Sequence, residues 1–595
     1  MSEIPKTGSG WGAWKPRGMA WLLLVLLVPT LLYLPALRND FTWDDRVAAM
    51  GRDADWVRPE IDELQAPWTY FVLPYWPPRE IGDDKLYRPV TMMSFALRHA
   101  LFGDAPLPAH LLNLILHLLA ILLVYRFLRA LACGEPGALL GAFVFGMHAI
   151  HSEVVANVVG RSELLALDLG LLAILLAFRA SDRTGPSRWR YLGLVSLTLF
   201  LACSAKENAL AFLAFLPLAS HARAWRSRRI QEPAQALPWR QWLPVVVVPA
   251  LVFLLLRHEA LSASRGNPIT WLENPWADRS PLQRIPSALI AWAYALLLSV
   301  LPLWLAADHG PGNLPTVTGP SDPLFWLAAL IAITFALTTI LAIRHRRRAP
   351  LLFLALAVWF GFSFVTSNVP FAVNLVLAER SYFIPSLALA LLLAWAFEHL
   401  PRRQAIPALG TTLLSAWIGI NALVILERVP VWENNMTLVT HEVRNRPDSV
   451  RMRIVAANYA LLDDRKVEAL HHLEHALPYA PELGQLLHDL GWVLDQLGRK
   501  SEAIQAYEQG LRGRIDDPNW TLRLHAKLAL ALGSQKRFDQ ALDEVIAALR
   551  IHRLYLGENQ ELRDFVEECS KSTEVSTRTH RKAVGILDIA ARPPR

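Results

Sequence analysis

The sequence predicts an all-α protein in which a polytopic membrane domain is followed by a soluble array of helical hairpins. Three observations predict it. Apolar runs recur as far as Leu426 and then stop, in a chain of 595 residues that is 53% hydrophobic and 19% charged. Basic residues gather in the short loops between those runs, the asymmetry of cytoplasmic loops. From Val450 onward, small residues return with a period of about 34, as in stacked helical hairpins.

Each element follows in order. Met19 to Leu37 is an apolar run of about 20 residues, roughly 30 Å of helix and long enough to cross a bilayer. Lys15 and Arg17 precede it and no small-residue cleavage site follows, so it reads as a retained first span. Further runs lie near 108–128, 136–150, 163–178, 191–204, 208–221, 242–258, 324–343, 350–368, 382–399 and 405–426. With the N-terminus inside, about eleven spans place every basic cluster in the cytoplasm. Those clusters are Arg126 and Arg129, Arg179 to Arg190, Arg223 to Arg240, Arg344 to Arg348, and Arg402-Arg403. The C-terminal domain then lies outside. One run, 286–305, breaks the parity because both its flanks look external; either it dips into the membrane and returns, which is the preferred reading, or one of the short runs 191–204 and 208–221 is not a true span. The first external loop, 38–90, is rich in Trp, Pro and acid and should follow the membrane surface, with an interfacial helix around Thr91–Phe102.

The net charge of +7 belongs to those cytoplasmic loops and does not indicate nucleic acid. Cys133, Cys203 and Cys569 form no zinc spacing and no disulfide framework. Residues 1–430 are therefore read as the membrane domain, 431–560 as the repeat domain and 561–595 as a tail.

Ala469, Leu473, Ala476 and Pro481 have the offsets of the second helix of a tetratricopeptide repeat. A shift of about 34 gives Ala503, Tyr507 and Gly510, and a looser third copy centres on Ala541, Val545 and Ala548, so about three repeats are expected. Such stacks bind peptides or brace their neighbours.

Under this topology a set of charged residues shares the outer face. Asp44 and Asp45 follow the first span. Tyr87-Arg88-Pro89 ends the first loop, and His110, Asn113 and His117 form a hydrogen-bonding stripe on the second span. His148, His151 and Glu153 close the third span, and Arg161 and Glu163 open the fourth. Lys206-Glu207-Asn208 sits in a tight turn, and Glu379-Arg380 precedes the tenth span. Charges so near hydrocarbon cost several kcal/mol unless they are paired or used. His148, His151 and Glu153 match helical metal sites poorly and suit packing and hydrogen bonding, so no metal is expected. Arginine is always charged and grips phosphate bidentately. Acid beside several cations at the bilayer boundary suits a substrate with a lipid tail and a phosphate head. The cations would stabilise the phosphate as a leaving group, and a carboxylate would take the proton of an incoming hydroxyl. Displacement from the opposite face inverts the sugar carbon, by analogy with inverting glycosidases.

Several strings carry a specific resemblance. They are Tyr87-Arg88-Pro89-Val90-Thr91, Pro108-Ala109-His110-Leu111-Leu112-Asn113 with His117-Leu118-Leu119, His148-Ala149-Ile150-His151-Ser152-Glu153 through Gly160-Arg161-Ser162-Glu163, Ser204-Ala205-Lys206-Glu207, and Glu379-Arg380-Ser381-Tyr382-Phe383-Ile384-Pro385-Ser386. The chain resembles the transmembrane and tetratricopeptide-repeat-containing O-mannosyltransferases, within the lipid-sugar-dependent GT-C superfamily. Phe383 stands where that family has Tyr. The resemblance implies a GT-C-type membrane domain, a polyprenyl-phosphate-linked sugar donor such as mannose, and an acceptor hydroxyl on protein Ser or Thr. It also implies a first-loop acid as base, which maps onto Asp44 or Asp45. The sequence does not choose between the two; Asp44 is the preferred one. Together with the charged clusters above, this makes Arg88, Arg161, Lys206, Glu207, Arg380, His148, His151 and Glu153 the candidate donor and substrate set, with no cofactor expected. The resemblance further implies that the repeats engage the acceptor polypeptide. The repeats are far fewer than in animal relatives, and the Arg- and Ala-rich, Cys-poor composition looks bacterial, which would make the outer face periplasmic.

Two other classes compete. An oligosaccharide ligase or polymerase using lipid-diphosphate donors would centre on a large late external loop, whereas these charges gather around the first loop and tight turns. A non-catalytic scaffold presenting the repeats would tolerate loss of both Asp44 and Asp45.

Overall fold

The structure, a computed structural model, describes residues 16–53, 56–76, 86–229, 234–262, 269–399, 405–572 and 575–591. The described residues are helical throughout apart from loops and one minimal hairpin, Arg52–Asp53 against Trp56–Val57. Arg402-Arg403 lies outside the described residues.

Two units share the chain. The first comprises residues up to 267, 279–307 and 316–438. Among the described residues, eight of its helices are long and apolar enough to span a membrane, or nine with the bent pair Glu135–Gly146 and Ala149–Ala156 taken as one. The chain is an integral membrane protein. Its apolar helices differ in how far protein covers them: 72% of the most apolar window in Val158–Ser181 is buried, but only 6% of that in Pro323–His345. Trp326, Leu330, Ile333, Leu337 and Ile340 there stand exposed, so hydrocarbon is their solvent. About eleven spans are expected from sequence; three of those positions differ in kind. Pro350–Phe364 has 15 residues, about 22 Å of helix. Gly185–Ala205 and Ala211–Arg229 carry arginines inside their ends.

Helix starts follow local chemistry. Pro106, Pro281, Pro323 and Pro350 open their helices, where a missing N–H costs nothing, and the Asp322 side chain caps the amide of Leu324. Pro281–Val300, the helix that upsets the parity, begins beside the chain that follows it. Gln283 Nε2 donates to Thr318 O at 3.1 Å, and Ser287 Oγ accepts from Val317 N at 2.9 Å.

The second unit holds residues 439–595 together with two stretches of the loops around Pro281–Val300, namely 269–278 and 308–315. Trp271 N donates to Asp516 Oδ2 at 2.5 Å, Arg514 pairs with Asp278, and Ser449 Oγ donates to Asp308 Oδ2 at 2.9 Å. Helix pairs follow: Val450–Leu462 with Lys466–Ala476, Gly484–Gln496 with Lys500–Arg512, and Pro518–Ser534 with Phe538–Ile551. Ala469, Leu473, Ala476, Ala503 and Tyr507 are all buried at the crossings. The third copy is out of step because Pro518–Ser534 has 17 residues where Gly484–Gln496 has 13.

A Cβ on Gly510 would meet Leu524 Cδ2 at 2.9 Å and Leu487 Cβ at 3.3 Å. Gly510→Val is therefore expected to destabilise the repeat unit by about 1–3 kcal/mol through overpacking, seen as faster proteolysis of the C-terminal region. The segment 561–595, expected as a tail, instead forms Gln560–Lys571 and Thr577–Ala591. Leu562, Val566, Cys569, Ala583 and Ile586 are buried with Leu542 and Val545. This fourth pair follows an extra short helix, Tyr555–Glu558, which breaks the period that reveals the others.

Candidate functional site

The apolar first helix ends in a tight turn, Leu34–Arg38, which delivers Asn39 to Asp45 to one end of the membrane unit. The two aspartates there face opposite ways. Asp45 is fully buried. Its carboxylate accepts the amides of Thr42 at 3.1 Å, Val158 at 3.2 Å and Val159 at 2.8 Å, tying the first loop to the start of the Arg161–Ser181 helix. Burial pushes its carboxyl up to about 7, against the pull of those three amides. Asp44 points outward, its side chain 31% exposed, with Oδ2 at 3.8 Å from Arg380 Nη1.

Arg380 joins two acids. Its Nη1 also donates to Glu153 Oε1 at 3.1 Å, and its backbone amide donates to Glu153 Oε2 at 3.1 Å. Glu153 is buried, so it anchors the guanidinium and leaves its outer side open. Arg88 donates through Nε to Glu207 Oε2 at 3.0 Å and lies 4.9 Å over the Tyr75 ring. Glu207 also accepts the amide of Tyr87 at 2.7 Å. Burial opposes ionisation of Glu207, but Arg88 and that amide outweigh it and hold the carboxyl below its ordinary value. Lys206 pairs with the buried Glu163, whose other oxygen accepts from Asn208 at 3.2 Å. Burial lowers the Lys206 ammonium to about 8, with Glu163 opposing. Charge couples the group into one patch: Asp44, Arg88 and Glu163 act on Arg380, and Arg380 acts on Lys206.

Of the ten residues singled out from sequence, Asp44, Glu153, Arg380, Arg88, Glu207 and Lys206 therefore belong to this patch. The other four have different work. Arg161, expected to grip a donor phosphate, has no exposure; it donates to Asn113 Oδ1 at 3.0 Å, Ser94 O at 3.3 Å and Ala109 O at 3.0 Å, and lies over Phe95. Gly160 before it is required by close approach, since a Cβ there would meet Val154 O at 2.2 Å. His148 accepts the Ile150 amide at Nδ1 and bonds Ser299 O at 2.8 Å through Nε2. His151 Nε2 bonds Ser386 Oγ at 2.8 Å. All three, like Asp45, are buried and held by protein groups rather than presented to a ligand. Sequence alone cannot separate a buried arginine with backbone acceptors from an exposed one, because both occur at the end of an apolar run.

Sequence reasoning also missed the stretch 429–435. Asn39 Nδ2 donates to Val429 O at 3.2 Å, Asp40 N to Glu433 O at 2.8 Å, Thr42 Oγ1 to Trp432 O at 3.0 Å, and Trp43 N to Asn435 Oδ1 at 2.6 Å. No spacing or motif marks that stretch; it follows the last apolar run as an ordinary helix exit.

Asp45→Ala is expected to orphan the Thr42 and Val158 amides, at about 1–3 kcal/mol each, and to lower the melting temperature. A pH dependence goes with it. The folded state holds a proton on Asp45 up to about 7 where the unfolded chain releases it near 3.8, so this residue's contribution falls as pH rises across that window. Melting temperatures should decline accordingly in the parent, and Asp45→Asn should flatten that part of the curve.

No family model matches the chain. Curated relatives do. The chain is similar to protein O-mannosyl-transferases. Protein O-mannosyl-transferase TMTC3 of Homo sapiens is 24% identical over 509 residues, 82% of this chain and 54% of that protein. Protein O-mannosyl-transferase Tmtc3 of Drosophila melanogaster is 23% identical over 590 residues, 89% and 59%. Protein O-mannosyl-transferase F38B6.6 of Caenorhabditis elegans is 25% identical over 396 residues, 65% and 52%. The chain spans about half the length of the curated relatives it matches. Among solved structures, it is similar to the crystal structure of MamA at a TM-score of 0.22 and 15% identity, over 26% of this chain and 82% of that one, a level from which no argument follows.

Proposed function

We propose that the chain is an inverting membrane glycosyltransferase of the tetratricopeptide-repeat-containing O-mannosyltransferase family, with a GT-C-type membrane domain. It moves a sugar, mannose by the relatives' names, from a polyprenyl-phosphate donor to Ser or Thr hydroxyls of exported protein. The observation that carries this reading is the approach of a partly exposed carboxylate, Asp44, to a partly exposed guanidinium, Arg380, beyond the end of the first apolar helix. Asp44 accepts the proton of the acceptor hydroxyl. The hydroxyl oxygen bonds to the anomeric carbon as the carbon–oxygen bond to phosphate breaks, and polyprenyl phosphate leaves with the electron pair. Arg380 and Arg88 stabilise that departing charge, each steadied from behind by a carboxylate, Glu153 or Glu207. Lys206 adds field from behind Glu163.

The site lies on the extracytoplasmic face, the periplasmic face of an inner membrane in a bacterial host, and the repeats engage the acceptor polypeptide. The test is reconstitution of the purified chain with synthetic polyprenyl-phosphate mannose and a Ser/Thr-rich peptide. Transfer with inversion is expected. Absence of transfer from this donor, with transfer from a lipid-diphosphate donor, would overturn the proposal.

A further inference from the structure

We infer that Asn435 is a positioning residue for catalysis, holding the strained Trp43 that turns Asp44 outward and Asp45 inward. The inference rests on the reading of Asp44 as the base.

Asp44 and Asp45 are neighbours at the start of the short helix Asp45–Ala48. Here one is fully buried and the other is 31% exposed. The residue before them explains the split: Trp43 has φ +58°, a left-handed conformation that a bulky L-residue avoids because its Cβ crowds the backbone. Such strain persists only where the surroundings over-determine it. One side of the constraint is Asp45 itself, pulled inward by the amides of Thr42, Val158 and Val159. The other side is the stretch 429–435. Three of its contacts use backbone carbonyls, those of Val429, Trp432 and Glu433, and survive any change of side chain. The contact to Trp43 itself is made by a side chain, Asn435 Oδ1 on the Trp43 amide at 2.6 Å.

The residue type fits the task. The position needs an acceptor oxygen, so an apolar replacement leaves the strained amide without a partner, whereas Asp keeps the acceptor. Asn435 opens the helix Asn435–Asn445, so its own backbone is fixed. Its side chain bonds Trp43, the residue before Asp44, and so acts on Asp44 through Trp43.

The experiment uses the full chain with polyprenyl-phosphate mannose and an acceptor peptide. Asn435→Leu is expected to lower kcat about tenfold or more, with donor KM within about twofold and a smaller fall in melting temperature than Asp45→Ala. Asn435→Asp is expected to recover most of kcat. An unchanged kcat in Asn435→Leu, a loss confined to KM, or no recovery with Asn435→Asp would overturn the inference. An activity-independent readout separates it from the parent reading. The alkylation rate of the thiol introduced by Asp44→Cys should change at least threefold when Asn435→Leu is added, and an equal rate overturns the inference. If Asp44→Asn is inactive while Asn435→Leu behaves as the parent, only the positioning role fails. If Asp44→Asn remains active, the base assignment fails whatever Asn435 does.

Discussion

Asp44→Asn is expected to lower sugar transfer by about 10²–10⁴-fold, the range removed with a general base, while leaving the protein folded and able to bind donor. The reason lies in how differently the two aspartates are held. The Asp44 side chain is 31% exposed and its recorded ion contact is a 3.8 Å approach to Arg380. Replacing one carboxylate oxygen by an amide nitrogen there disturbs no buried amide. Asp45, by contrast, carries three backbone hydrogen bonds, and its loss should appear first in stability. Measured side by side, the pair gives a clean separation: kcat falls with position 44 and melting temperature with position 45. Activity within tenfold of the parent in Asp44→Asn would remove it as the base and return attention to another carboxylate of the patch, Glu207 first, since it is 22% exposed.

Arg161→Leu is expected to lose about 3–5 kcal/mol of stability, the scale for breaking a buried, hydrogen-bonded charge network, and in many expression hosts no folded protein would be recovered. The guanidinium serves two helices at once: the Pro89–Phe102 helix through Ser94 O, and the Pro106–Ala130 helix through Ala109 O and Asn113 Oδ1, all from the first turn of Arg161–Ser181. A leucine leaves Asn113 Oδ1 without this donor and takes the second hydrogen bond from two helix carbonyls, Ser94 O and Ala109 O. Arg161→Lys should rescue little, because a single ammonium cannot reproduce a planar fork that reaches three acceptors. Melting temperature in detergent or nanodiscs checks this. A normally folded Arg161→Leu with weakened donor affinity would restore the phosphate-binding role that its position in the sequence first implies.

These two residues show where sequence reading succeeds and where it stops. Arg161 and Arg380 are alike in sequence: each stands beside a glutamate or serine near the start of an apolar run. In the fold, one is closed off under Phe95 and the other sits at 25% side-chain exposure between Glu153 and Asp44. The difference comes from the Pro89–Phe102 and Pro106–Ala130 helices, which surround Arg161 with Ser94, Phe95, Ala109 and Asn113, whereas Glu153 holds Arg380 from one side. Likewise the fourth helix pair of the C-terminal unit was invisible to a fixed period, because packing needs buried apolar residues and not a constant repeat length.

The sequence by itself determined the all-α membrane-plus-repeat architecture, since hydrocarbon spans and hairpin repeats are periodic and periodicity is a property of the chain. It also determined the inventory of acids and cations from which a site is built. Only the tertiary structure decided which of those charges meet, and which of two neighbouring aspartates faces outward. That choice turns on Trp43, Asn435 and the amides of residues 158–159, contacts spanning more than a hundred residues of chain, and no local pattern records a contact that distant.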